Sequence, residues 1–256
     1  MDIIKKREKS LSYQEKIPKV ETKVLVAMKF SEKEYLEELA DGRLRFRSLA
    51  YYSATENSKK GFYDPAEGSA GIYQANRDIS ITIERPNQEP VILDSNSGLI
   101  KQVRFGYGFS GVCFCTYLIH LGKWLHEEIN DENLHQVEAN LTVPASISER
   151  FGPYVWIIKN GDEFEKRIIE AVKREQLSLQ ADFVKYIDFD EFHGRLHDDD
   201  IGFVKSKKYE DEHEHRTILF GKQLTDPFYL DVGSLRDISV IMSFEEFSKG
   251  AHISFG

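Results

Sequence analysis

Long apolar runs are missing from this sequence. The longest, such as those at 24–28 and 154–158, fall far short of the roughly 20 residues that span a bilayer, so no transmembrane helix and no membrane partner are expected. The first ten residues carry positive charge with no apolar stretch after them, which is not the pattern of a secretory signal. The expected location is the cytoplasm. Cysteine is scarce too, with two in the chain, Cys113 and Cys115. They alternate with Val112, Phe114 and Thr116 as in a strand, where spacing two puts both thiols on one side. Neighbours on one strand face rarely form a disulfide, so buried reduced thiols are expected. Two cysteines alone do not complete a zinc site. No glycine-flanked serine elbow is present. Gly106, Gly108 and Gly111 precede a strand rather than open a helix, which removes them from the dinucleotide-binding fingerprint.

What the chain does have is an ordinary globular composition. Hydrophobic residues at 41% and charged residues at 30% are enough to fold and enough to dissolve. The 256 residues read as an N-terminal arm over 1–20 and a single domain over 21–256. A formal net charge of −9 disfavours general attraction to nucleic acid or anionic surfaces. It leaves local basic groups, and two are candidates for a groove: Arg43, Arg45 and Arg47, and the pair Lys101 and Arg104.

Hydrophobic periodicity predicts strands at 24–30 and 43–48, the latter with Leu44, Phe46 and Ser48 alternating against the three arginines. Between them a helix is expected, with Ser31 as its N-cap and Glu34 completing a capping box. Residues 79–83 and 91–93 read as a hairpin. Further strands are expected at 112–117, 136–141, 154–158, 184–189, 213–220, 228–230 and 238–242. A helix is expected over 163–177, where Phe164, Ile168, Ile169 and Val172 recur at helical spacing. Residues 50–56 open a loop or a short helix, and 61–68 carry turn signals. Many short strands with few helices predict an α+β fold built on a mostly antiparallel sheet.

The strongest chemical signal is Tyr209-Glu210-Asp211-Glu212-His213-Glu214-His215-Arg216. Read as the entry of a strand that continues through Thr217 to Phe220, it puts Glu212, Glu214 and Arg216 on one face at intervals of about 6.6 Å. His213 and His215 then point the other way. Read as a helix, Glu212 and Arg216 are an i,i+4 ion pair worth a few tenths of a kcal/mol; the β-favouring run after Arg216 favours the strand. Crowded carboxylates of this kind raise one another's pKa and accompany catalytic sites. A second cluster, from His193 to Asp200, offers two histidines and three carboxylates. Gly194 weakens the helix that would bring both rings together, and no glutamate follows His193, so the expectation there is a surface loop without a metal.

The spacing of Lys205, Tyr209, Glu212, Glu214 and Arg216, K-x-x-x-Y-x-x-E-x-E-x-R, resembles the signature of a bacterial family of uncharacterised proteins, with Tyr209 where that family usually has tryptophan. Lys29-Phe30, the stretch from Gly42 to Ser48, Tyr63 to Glu67, Val112 to Cys115 and Leu230 to Ile241 fit the same family. A basic residue on an early strand, a serine-bearing aromatic segment and a late Glu-x-Glu entering a strand also look like the ADP-ribosyltransferase superfamily, although its serine-threonine-serine pattern is absent. That resemblance implies a split sheet gripping NAD as co-substrate. It implies Glu214 as the catalytic carboxylate with Glu212 as its partner. It also implies an NAD site drawn from Lys29, Arg47, Ser48, Tyr51, Tyr52 and Arg216. The expected activity is transfer of ADP-ribose to a macromolecule, RNA, DNA or protein, in the manner of a bacterial toxin or phage-defence effector with a possible antitoxin. Two other readings stand beside it: a metal-dependent nuclease built on Asp64, Glu212 and Glu214, and a partner-binding protein whose charged faces are interface ions.

Overall fold

The computed structural model describes the backbone of Gln14–Glu15 and residues 23–54, 64, 66–77, 80–93, 100–106 and 110–250. The chain divides into two compact units. One gathers Met1–Pro18, Ala66–Phe109 and Lys185–Tyr209; the other gathers Lys19–Pro65, Ser110–Val184 and Glu210–Gly256. Most of the N-terminal arm and the turn at 61–63 lie outside the described residues, as does Ile79.

Strands and helices are numbered in chain order. The smaller unit holds β1 (Gln14–Glu15), β4 (Ser69–Gln74), β5 (Ile81–Arg85), β6 (Gln88–Leu93), β7 (Gln102–Gly106), β11 (Lys185–Ile187), β12 (Gly194–Leu196) and β13 (Val204–Ser206). The strands of the larger unit are β2 (Val24–Ser31), β3 (Arg43–Ser48), β8 (Val112–His120), β9 (Tyr154–Ile158), β10 (Ser178–Phe183), β14 (Glu214–Phe220), β15 (Phe228–Asp231) and β16 (Ser239–Ser243). Its helices are α1 (Lys33–Ala40), α2 (Leu49–Ser53), α3 (Leu134–Leu141), α4 (Ala145–Phe151), α5 (Gly161–Arg174) and α6 (Phe244–Gly250). The result is a mixed α+β structure with mostly antiparallel sheets.

In the smaller unit β1, β12, β4 and β7 form one sheet in that order, β1 parallel to β12 and the others antiparallel. Its core is Ala66, Ala70, Ile72, Phe189, Leu196, Ile201 and Val204. Lys185 Nζ and an Asp200 carboxylate oxygen, both side chains buried, pair at 2.5 Å. β5 and β6 make the expected hairpin as a two-stranded sheet of their own.

The larger unit is organised by β8. Apolar side chains on its two faces feed two cores. Phe114 and Val112 pack with Leu36, Leu39, Phe46, Trp156, Ile168 and Leu219 beneath α1 and α5. Tyr117 and Ile119 pack with Met28, Phe30, Val137 and Ile147 beneath α3 and α4. Along one edge β8 pairs antiparallel with β14, and β14 with β10. The other edge is shared. β3 pairs there at Val112 and Cys113, and β2 pairs from Tyr117 to His120. The sheet therefore branches: β2 leads to β9 and β16, while β3 leads to β15. Because β2 and β3 both run antiparallel to β8 they are parallel to each other, and α1 crosses over between them.

Two expectations change. Residues 136–141 form helix α3, not a strand; Val137 and Leu141, four residues apart, share its buried side. Ser31 belongs to β2, and the N-cap of α1 is Glu32, whose side chain makes no capping bond. The long helix is capped as composition dictates. Asn160 accepts from the Glu163 N–H at 3.1 Å, acidic Asp162 and Glu163 occupy the first turn, and basic Lys173 and Arg174 the last.

Candidate active site

The site is built where the branches of the sheet part. β3 alternates Leu44 and Phe46 into the core, which turns Arg43, Arg45 and Arg47 to the opposite face. In antiparallel register directly paired residues share a face. Arg47 therefore stands beside Cys113, and Arg216 beside Cys115, with Glu214 beside Tyr117. One face of β8 thus collects two arginines, a glutamate and both thiols. The cysteines are reduced, with sulfurs 4.0 Å apart.

Between Cys113 and Tyr117 the free edge of β8 passes from β3 to β2, and a backbone carbonyl at this point needs another donor. Lys29 supplies it: its Nζ donates to the Cys115 carbonyl at 2.6 Å and lies 4.8 Å from the Phe114 ring centroid. Burial lowers the pKa of this ammonium, while the electron-rich Cys115 and Glu214 nearby act in the opposite sense. Tyr52 joins the same neighbourhood. Burial, then Cys115, Cys113, Tyr35 and Glu214, hold its phenol well above the ordinary tyrosine range. The Cys115 thiol is pushed up as well, first by its hydrogen bond with Cys113 and then by burial.

Glu214 opens β14 and is buried with Arg216, whose Nε donates to one carboxylate oxygen at 2.6 Å and whose Nη2 donates to the other at 3.3 Å. Such a two-point contact fixes the orientation of the carboxylate as well as its charge. Ser48 caps α2 by accepting from the Tyr51 N–H at 3.2 Å. Its hydroxyl also donates to Asp226, whose other oxygen lies 3.0 Å from Arg47 Nε. Tyr51 lies under the Arg47 guanidinium, 3.6 Å from carbon to ring centroid, and meets Tyr52 edge-on at 5.3 Å.

Lys29, Arg47, Tyr51, Tyr52, Glu214 and Arg216 are therefore brought to the branch point, and Ser48 is tied to it through Asp226. Strand alternation does not place Glu212 with Glu214 and Arg216. His213 has φ +38°, a left-handed turn that breaks the alternation before the strand begins, and Glu212 sits in the preceding 3-10 segment. Arg150 Nη1 reaches its carboxylate at 3.3 Å, and Arg150 also binds Asp211. Asp226 and Arg150 were invisible to spacing arguments, since each meets its partners from a distant part of the chain.

The same backbone turn separates the two histidines. His213 stacks on Tyr117 with centroids 5.3 Å apart and planes at 19°, whereas His215 meets Phe183 edge-on at 5.7 Å. His120 joins them, 5.3 Å from His213 and 5.4 Å from Phe183. Burial lowers the pKa of all three, His120 from its ordinary 6.5 to about 4. The unfolded chain thus binds protons at these rings in a range where the folded chain does not. The stability they contribute is complete above pH 6.5 and is lost as pH falls toward about 4. We expect the melting temperature to fall steadily over that window and the fall to be shallower in His120→Phe; a melting temperature flat across it would contradict the assignment.

The second histidine cluster, in the smaller unit, is occupied locally. His193 Nδ1 accepts from the Gln74 N–H at 3.0 Å, His197 Nδ1 from the Asp199 N–H at 3.3 Å, and Asp200 is held by Lys185. The stretch from His193 to Asp200 contains β12 and the start of a 3-10 segment, more order than the loop expected there. Among the described residues no group of three or more His, Cys, Asp or Glu side chains is placed to hold a metal ion, and no helix is long and apolar enough to cross a membrane. Comparison with known proteins finds no matching family model, no matching curated protein and no matching solved structure.

Proposed function

We propose that this protein is an NAD-dependent ADP-ribosyltransferase that modifies a macromolecule, nucleic acid or protein, with the larger unit as an ADP-ribosyltransferase-like split sheet. The observation that carries the reading is the branch of the sheet at β8, with the oriented carboxylate of Glu214 on the strand next to it and Lys29, Tyr52 and the Arg47–Tyr51 stack gathered around it. These residues suit NAD: cations for a pyrophosphate, tyrosine rings for the nicotinamide, and a fixed carboxylate for the ribose between them. NAD supplies a glycosidic bond whose cleavage develops positive charge on the ribose. Glu214, held at two points by Arg216, stabilises that charge and accepts from a ribose hydroxyl. Arg47 and Lys29 neutralise the pyrophosphate. Glu212, which Arg150 reaches at the entry to β14, is the partner carboxylate in this reading. A role as a toxin or phage-defence effector, with an antitoxin as partner, belongs to the same proposal.

The direct test is to incubate the protein with NAD labelled on the adenylate and a cell lysate, then separate protein, RNA and DNA. Label on one of these fractions, with stoichiometric release of nicotinamide, is the expected result. No label and no loss of NAD would overturn the reading.

A further inference from the structure

The three arginines of β3 do more than approach the branch point. Each is laid over a tyrosine contributed by a different element: Arg43 over Tyr229 at 4.2 Å, Arg45 over Tyr35 at 4.3 Å and Arg47 over Tyr51 at 3.6 Å. An aromatic ring beneath a guanidinium is worth about 0.5–2 kcal/mol and, more to the point here, holds the plane of the fork in place before anything binds. Alternation along β3 spaces the three at about 6.6 Å. The row begins with Arg43, which is exposed, and runs through Arg45 toward Arg47 beside Cys113. Cys113 lies on the face of β8 that carries Cys115 and Tyr117, the partners of Arg216 and Glu214, so the row ends in the site.

We infer that this row is a track for the phosphates of a single-stranded nucleic acid, and that such a strand is the acceptor presented at Glu214; the second half rests on the transferase reading, the first does not. The arginine spacing suits successive phosphates of any one strand; what selects an unpaired strand is the row of tyrosines, since bases are free to stack on rings only where they are unpaired. Cations interleaved with aromatic rings are the usual means of holding an unpaired strand, the cations following the backbone and the rings taking bases. Tyr229, 38% exposed, offers a ring at the outer end. The track is short. Arg47, at the branch-point end beside Cys113, is the one placed for the NAD site, which leaves Arg43 and Arg45 to meet the phosphates of a strand. The carboxylate across from Arg43, that of Asp231, accepts instead from the Gly233 N–H at 2.9 Å. Because the whole chain carries −9, attraction depends on local basic groups such as this row, and binding must weaken with salt.

The test uses the full chain without NAD and a fluorescein-labelled mixed-sequence RNA of about twelve nucleotides, read by anisotropy at several salt concentrations, with a DNA duplex and a poly-glutamate peptide as competitors. Two phosphate contacts on a single strand give a slope of log K against log salt of about −1.4. Arg43→Gln with Arg45→Gln should weaken RNA binding about tenfold and bring the slope near zero. Arg43→Lys with Arg45→Lys should keep the slope while weakening binding, since charge stays and the stacked fork goes. Circular dichroism melts establish that each variant is folded, and Arg43→Gln alone, at an exposed position, still moves the slope by about 0.7 if the double variant does not fold. Undetectable RNA binding, binding unmoved by these substitutions, or preferential displacement by duplex or by poly-glutamate would each overturn the track. If NAD is consumed and label goes only to protein, the transferase stands and the nucleic-acid acceptor falls. If RNA binds as described and NAD is untouched, the track stands and the transferase falls.

Discussion

Glu214→Gln should lower the transfer of label from NAD by about 10²–10³-fold, the loss seen when a fixed group that stabilises transition-state charge is removed. The same change has a structural cost. Arg216 is 1% exposed, and both oxygens of Glu214 receive its guanidinium. Glutamine keeps one carbonyl oxygen for Nε but removes the balancing charge, and breaking a buried pair from one side costs up to about 3–5 kcal/mol. A lower melting temperature is therefore expected alongside the lost activity. Glu214→Asp separates the two effects: it keeps the charge near Arg216, withdraws the carboxylate by one methylene, and should fold while still losing most of the rate. Rates are compared at a temperature where melts show each variant folded. A folded Glu214→Gln protein transferring label at the wild-type rate would remove Glu214 from the chemistry.

Gly42→Ala should be the most damaging small substitution for folding. Gly42 ends the α1 to β3 connection with φ +95°, a left-handed conformation that side chains resist. A methyl group there would also lie 1.9 Å from the Gly233 carbonyl oxygen, a backbone atom with nowhere to go. The contact is tight because the Gly42 carbonyl accepts from the Val232 N–H at 2.9 Å and the Ala40 carbonyl from the Leu235 N–H at 2.8 Å, joining the start of β3 to the turn after β15. Strain and collision together should cost about 4 kcal/mol, or roughly 10 °C of melting temperature in a unit of this size. Gly161→Ala is the control, because nothing within 4 Å would meet the new methyl. If the two variants melt within about 2 °C of each other, the close approach at Gly42 is not what the geometry implies.

How much of this was legible beforehand varies with the range of the interaction. The alternation of Arg43, Leu44, Arg45, Phe46 and Arg47 announced both the strand and its basic face, because a period of two is a local property of the chain. The start of β14 was nearly right for the same reason, and the pairing of Glu214 with Arg216 follows from it. Glu212 falls outside the strand because of a single positive φ at His213, which no spacing rule signals. Residues 136–141 misled because Val137, Ala139 and Leu141 satisfy a period of two as well as a helical turn; the packing of Val137 and Leu141 beneath α3 decides it. Asp226 and Arg150 reach the site from segments far away in sequence. The two compact units are equally hidden, since each is assembled from three separated stretches of chain.

The crossover β2–α1–β3 has a consequence for how the site is assembled. Both sides of the branch come from one continuous stretch, Val24 to Ser48, joined by a helix of eight residues and each paired to β8. Contacts so near in sequence cost little chain entropy and form readily. β14 begins 166 residues and β15 180 residues after Ser48. Glu214 is thus joined by long-range pairing to a frame made from one short stretch of chain, so the site depends on β8 holding local and distant segments in one register.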